Sequence, residues 1–139
     1  MLINVYDFDN TIYRGDSSYD FFRHCALKYP SVLLSAAGAL PWLLGMALGI
    51  LDKTKAKERF YRYLRHVPEV EEEVVRFWID HDKNLKSWYF EQKRDDDLII
   101  SASPEFLLEP VMRRLELAFL ASRVDARTGR YTGRNCHGE

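Results

Sequence analysis

Two carboxylates one residue apart are the first groups in this sequence that could do chemistry. Asp7 and Asp9 stand in Asp7-Phe8-Asp9-Asn10-Thr11, directly after the apolar run 2–6. On an extended segment residues i and i+2 point the same way, so both carboxylates can face one pocket. The end of a strand is also where open α/β sheets place their ligands. A hard cation such as Mg2+ takes oxygen ligands, and one or two carboxylates with phosphate and water hold it. Beside such a metal one carboxylate can attack phosphorus. The other can protonate the leaving oxygen and then activate water. Thr11 can hydrogen-bond either acid or the phosphate. Taken alone, the pair is also what a strand end and a turn cap would use.

A second group lies far downstream. Ser101 ends the apolar run Leu98-Ile99-Ile100, and Ser103-Pro104-Glu105 follows at once. A serine, then proline at the first helical position, then a glutamate in the first turn signal a helix start. The Ser101 hydroxyl and the backbone N–H groups of Ala102 and Ser103 would form a seat for an anion. Ser103 itself reads as the helix cap rather than a ligand contact. A carboxylate pair on one strand end and a phosphate seat on its neighbour make a phosphoryl-transfer layout. Asp16, with Ser17 and Ser18, is of helix-cap type and opens a helix at Tyr19.

Positioning these groups takes strands that end near Asp7 and Ser101. Runs 2–6 and 98–100 have that character, and 117–120 reads as a third strand. Helical pattern dominates from Asp16 to about Lys93, with Pro30, Pro41 and Pro68 each expected to mark a boundary. Val74, Phe77, Trp78 and Leu85 share one broad face. A helix is expected to about Leu115, and 124–133 reads as a hairpin turning near Gly129. The order strand, long helical insert, strand, helix, strand, hairpin predicts an α/β fold with a parallel sheet. The insert is too long for a simple crossover. A helical cap over 16–94 is therefore expected on a core made of 1–15 and 95–139.

The bulk composition narrows the function classes. With 47% hydrophobic and 14% aromatic residues in 139, the chain can pack a core. A net charge of -1 leaves no global basic field for nucleic acid or an anionic membrane. The basic run Lys53, Lys55, Lys57 and Arg59 reads as a solvated helix face. Two cysteines, Cys25 and Cys136, do not make a disulfide framework, so a reducing cytoplasm is expected, with both as packing residues. His24, His81, Cys136 and His137 lack the paired spacing of a zinc site. No basic leader opens the chain. Residues 31–51 carry no charge and are long enough to span a bilayer. Gly38, Pro41, Gly45 and Gly49 interrupt them, which favours a buried or half-buried helical pair over a membrane span.

These pieces resemble a known family. Asp7-Phe8-Asp9-Asn10-Thr11 is similar to motif I (DxDxT) of the haloacid dehalogenase superfamily, and residues 98–103 are similar to its motif II. The helical insert occupies the place of a C1-type cap. The most similar subgroup is the phosphoserine-phosphatase-like branch, in which an acidic residue follows motif I near the position of Asp16. The resemblance implies a partial Rossmann-like parallel sheet with the cap inserted after the first strand. It implies a Mg2+-dependent phosphomonoester hydrolase acting through an aspartyl-phosphate. Asp7 would be nucleophile and metal ligand, and Asp9 acid/base with its backbone carbonyl on the metal. Thr11, Ser101 and Ala102 would bind phosphate, and Asp16 would contact substrate from the cap entrance. Asn10 replaces the glycine common in many members. The substrate would be a small phosphorylated metabolite: phosphoserine, a phosphorylated amino alcohol or a sugar phosphate.

The sequence also departs from that family. Its motif III lysine and motif IV acidic pair are not found. Residues 133–139 (Gly-Arg-Asn-Cys-His-Gly-Glu) match the segment that precedes the lysine, and the sequence stops there. A C-terminally truncated chain, weakly active or inactive by itself, is the expectation. The alternative is a non-catalytic remnant or interaction module that keeps part of the fold. The strand at 2–6 would then form a bare edge, open to pairing with another chain.

Overall fold

The computed structural model describes residues 3–132. Three short strands lie parallel in the order β1 (Val5–Asp7), β2 (Leu98–Pro104), β3 (Ala118–Ser122). Val5 pairs with Leu98, Tyr6 with Ile99 and Asp7 with Ile100. Ile99 in turn pairs with Phe119 and Ile100 with Leu120. Parallel strands present their C-terminal tips on one side, so Asp7 and Ser101 end up about 5 Å apart in strand spacing. Val5 on the β1 edge and Ile3 just before it are exposed apolar residues.

Between β1 and β2 the chain forms α1 (Ser17–Lys28), α2 (Pro30–Ala47), α3 (Lys53–Tyr61), α4 (Val70–His81) and α5 (Ser87–Gln92). A 3-10 turn, Arg62–His66, follows α3, and another, Asp82–Asn84, follows α4. Helix α6 (Glu105–Leu115) joins β2 to β3 and buries Leu107, Leu108, Val111 and Met112. It ends at Glu116, whose φ of 56° is left-handed. The architecture is thus a partial Rossmann-like α/β sheet with a helical insert after the first strand.

Aromatic packing joins the insert to the sheet. Phe8 stacks on Tyr13 at 5.6 Å between ring centroids, and Trp78 meets both edge-on. The Trp78 indole N–H donates to the Leu107 carbonyl at 2.8 Å. Within the insert, Glu73 on α4 is only 1% exposed. It accepts from Lys28 Nζ at 2.8 Å, Tyr29 Oη at 2.7 Å and Arg76 Nη1 at 3.2 Å, with His24 Nε2 at 3.1 Å. His24 is therefore part of an ionic hub. Cys25 is buried, as expected of a packing residue; Cys136 and His137 lie outside the described residues. The hairpin turns where expected, with Val124 bridging Tyr131. Gly129 has φ +77°, and a Cβ there would meet the Tyr61 carbonyl oxygen at 2.2 Å, so the turn needs glycine.

Several expectations shift. β1 begins at Val5 and includes Asp7; Leu2 lies outside the described residues. β2 does not stop at Ser101 but runs to Pro104, with an irregular register between Ile100 and Pro104. Pro104, not Ser103, occupies the N-cap of α6. Ser103 is left in the strand because its hydroxyl bonds elsewhere, as shown below. Pro41 does not end a helix: α2 runs through it. Packing holds the helix on both sides of the missing donor, through Val32 and Ala39 before it and Leu51 against Gly45 after it. The buried or half-buried helical pair expected over 31–51 is a single helix, with Val32 and Ala39 buried and Ser35, Ala36, Leu43, Gly45 and Met46 half-buried. Among the described residues no second layer covers its outer apolar face.

Candidate active site

The loop after β1 is wound tightly. Phe8 carbonyl accepts from the N–H groups of Thr11, Ile12 and Tyr13 at 3.2, 2.9 and 3.0 Å. Asn10 sits at φ 62°, a left-handed conformation that asparagine tolerates better than most side chains. This is a physical reason for Asn10 where glycine would otherwise serve. Asn10 N–H closes the loop onto Gly15 carbonyl at 2.9 Å. From outside, Lys86 N–H binds Ile12 carbonyl at 2.7 Å, and Lys86 Nζ donates to Asn10 carbonyl at 3.2 Å.

The two aspartates end up in different surroundings. Asp7 is exposed at the tip of β1, and its Oδ1 accepts from Phe8 N–H at 2.8 Å. Asp9 is half-buried. Its Oδ1 accepts from Ser17 N–H at 2.8 Å and Ser17 Oγ at 2.6 Å, and its Oδ2 accepts from Ser103 Oγ at 2.5 Å. Ser17 is the first residue of α1, so the carboxylate rests on a helix N-terminus. Burial pushes the Asp9 pKa above its ordinary 3.8. The hydrogen bonds from Ser103 and Ser17 pull it back, while the Asp16 charge adds to the rise. Burial wins.

Ser103 links the strand tips. It bonds Asp9 through its hydroxyl, receives the Ser18 hydroxyl at 2.8 Å, and gives its N–H to Ser101 Oγ at 3.0 Å. A continuous chain therefore runs Asp9–Ser103–Ser101. Ser101 is only 2% exposed, and its Oγ accepts the Ser103 N–H. The Ser103 N–H, expected in the anion seat, is thus committed to Ser101. Ala102 and Thr11 are half-buried beside these tips. Asp16 is exposed, and its carboxylate caps α1 by accepting from Tyr19 N–H at 3.1 Å.

The family's sequence model, described as haloacid dehalogenase-like hydrolase, matches residues 5–139. The chain belongs to that family. No curated protein matches the sequence. Among solved structures similar to this haloacid dehalogenase-like chain, one is a protein of unknown function from Bordetella pertussis Tohama I. It has a TM-score of 0.70 and 21% identity over 95% of this chain and 65% of that one. A HAD family hydrolase from Salmonella enterica serovar Typhi follows, with TM-score 0.63, 14% identity and coverage of 88% and 40%. A phosphoserine phosphatase, solved as a phospho-aspartyl intermediate analogue, has TM-score 0.55, 16% identity and coverage of 95% and 61%. At these identities the likeness is one of fold. The haloacid dehalogenase-like chain spans between 40% and 65% of the length of these structures.

The donor set can be tested against a divalent cation. Asp7 and Asp9 offer hard oxygens, and Mg2+ takes one or two protein carboxylates with waters and phosphate. The pair fits that minimum. Among the described residues no cluster of three His, Cys, Asp or Glu side chains could hold a metal. Sequence reasoning missed two neighbours of this haloacid dehalogenase-like site, Ser17 and Lys86, and gave the Ser103 side chain a cap role. It treated Ser17 as a cap type and had no signal for Lys86, which is brought in from the far end of the insert. Burial and then the Lys53 charge push the Lys57 pKa down, and the Asp16 charge draws it back up.

Proposed function

We propose that this chain carries the nucleophile half of a magnesium-dependent phosphomonoester hydrolase. The observation that supports it is the split between Asp7, exposed at a strand tip, and Asp9, half-buried with a raised pKa. Two adjacent carboxylates in unlike surroundings divide into nucleophile and acid. In this reading an Asp7 carboxylate oxygen attacks phosphorus and the bond to the ester oxygen breaks. Asp9 gives its proton to the departing alkoxide. Water then attacks the aspartyl-phosphate, Asp9 takes its proton, and inorganic phosphate leaves as Asp7 is restored. Ser17 and Ser103 hold Asp9 in place, and Ser101, Ala102 and Thr11 line the phosphate end. When bound by Asp7 and the Asp9 carbonyl, Mg2+ would neutralise phosphate charge. Residues 16–94 serve as a cap over a core of 1–15 and 95–139, and Asp16 meets a small phosphorylated metabolite at the entrance.

Hydrolysis of p-nitrophenyl phosphate with Mg2+ tests this reading. Asp7→Asn should lower turnover by about a thousandfold or more. Turnover retained in that variant would remove Asp7 as nucleophile. A second reading, a non-catalytic module, is favoured by one observation: the Asp9 carboxylate is engaged by three donors that tie the insert to β2. It predicts no turnover and no Mg2+ binding by calorimetry.

A further inference from the structure

Helix α2 turns toward water the kind of surface that a folded core hides. Leu33, Ala37, Leu40, Leu44 and Leu48 follow at steps of four, three, four and four, so they share one face. The four leucines are all exposed, and Leu34, at 77% exposure, lies beside them. The opposite side, with Val32 and Ala39, is buried where α2 packs on α3 and the following 3-10 turn. Arg59 of α3 lies against Gly38, where a Cβ would meet its Nη2 at 2.4 Å. Pro41, Trp42 and Leu51 frame a shallow apolar notch of about 190 Å³. Mean hydropathy over the helix is 1.4.

Charge begins where this surface ends. No charged residue falls in 31–51, and then 53–65 holds Lys53, Lys55, Lys57, Arg59, Arg62 and Arg65 against Glu58 alone. Lys53 and Lys55 are exposed. The whole chain has a net charge of -1, so this basic flank is local.

We propose that α2 docks on an anionic membrane surface, lying in the plane of the interface with the lysines of α3 on the headgroups. An exposed apolar helix face gains by burial at a bilayer boundary, and the basic flank beside it is drawn to anionic headgroups. A second copy of the chain seated on the stripe would bring an equally basic flank to this one, whereas anionic lipid complements both features. Spanning is disfavoured. Eighteen residues reach about 27 Å, and crossing would drag the cations of α3 into hydrocarbon. This inference stands independently of the phosphatase reading.

Co-sedimentation of the full chain with mixed phosphatidylglycerol/phosphatidylcholine vesicles, against phosphatidylcholine alone, tests it. Binding to the anionic vesicles is expected, and little or none to phosphatidylcholine alone. Leu40→Glu combined with Leu44→Glu should weaken binding by about tenfold or more. Lys53→Glu with Lys55→Glu should weaken it by about tenfold at low salt and little at high salt. All four positions are exposed, and circular dichroism melts check that each variant folds. Leu33→Glu with Leu48→Glu repeats the apolar test at other positions. No binding to anionic vesicles, or binding unchanged in both leucine variants, overturns the proposal. So does a dimer in sedimentation velocity that the leucine variants abolish while the wild-type chain ignores vesicles.

Discussion

Glu73 in the helical insert and Asp9 at the sheet are both carboxylates drawn out of water, and their surroundings drive them in opposite directions. Burial alone would raise both. At Glu73 the hydrogen bonds from Lys28, Tyr29 and His24, with the Lys28 charge, outweigh burial and bring the pKa down to about 2. At Asp9 the partners are uncharged, two serine hydroxyls and one backbone N–H, and burial prevails. Cations make a carboxylate a permanent anion that holds helices together. Hydroxyls hold one in place while leaving its proton exchangeable, which is what an acid/base group requires.

The largest expected effect is on the ionic hub. Glu73→Ala leaves Lys28 and Arg76 facing a void between α1 and α4. A loss of about 2 kcal/mol is expected, below the range for fully buried pairs because Lys28 and Arg76 are half in water. Thermal melts should fall by several degrees. An unchanged melt would mean the hub is ornamental.

The pH dependence separates the two groups. The folded pKa of Glu73 lies below its ordinary 4.5, so its contribution is complete above 4.5 and is lost as pH falls toward about 2. Glu73→Gln should flatten that acid limb. Asp9 has the opposite sign. Its folded pKa lies above 3.8, so the folded state holds the proton more tightly and its ionisation costs stability as pH rises. Melts from pH 2 to 7 on both variants check this.

Ser103→Ala comes next, with about 1 kcal/mol lost as Asp9 and the Ser18 hydroxyl lose their shared partner. The pH–rate profile should also move, because a bond that lowers the Asp9 pKa is gone. The smallest change is Asp9→Asn. Its Oδ1 keeps Ser17, its amide can donate to Ser103 Oγ, and a half-buried charge disappears. Stability at pH 7 should rise by up to about 1 kcal/mol, and under the proposed phosphatase reading turnover of p-nitrophenyl phosphate should fall. A marked fall in the melt would instead make Asp9 a structural strut, like Glu73.

Much of the scaffold was legible beforehand. Short apolar runs ending in Asp7 and near Ser101, a proline-glutamate helix start and a glycine hairpin are local signals, and local signals survive folding. Helix α4 was visible through Val74, Phe77 and Trp78, whose spacing matches the face they bury. The errors share a cause. Ser103 looks like a cap in isolation, but Asp9 lies across from it in space and takes its hydroxyl. Pro41 should break a helix, yet contacts on either side hold α2 together. The run 31–51 read as a buried or half-buried pair, but among the described residues no element covers the outer face of α2.

By itself, the order of residues determined an α/β chain with an aspartate pair at the first strand tip and a long helical insert before the second. Those features follow from spacing and from backbone preference, which act over a few residues. Which aspartate is exposed, which serine restrains the other, and which apolar face stays in water were decided only by the tertiary structure. Burial and partner choice depend on residues far apart in the chain, such as Asp9 and Ser103, 94 positions apart, and those two quantities decide the charge state of Asp9 and the surface that α2 presents.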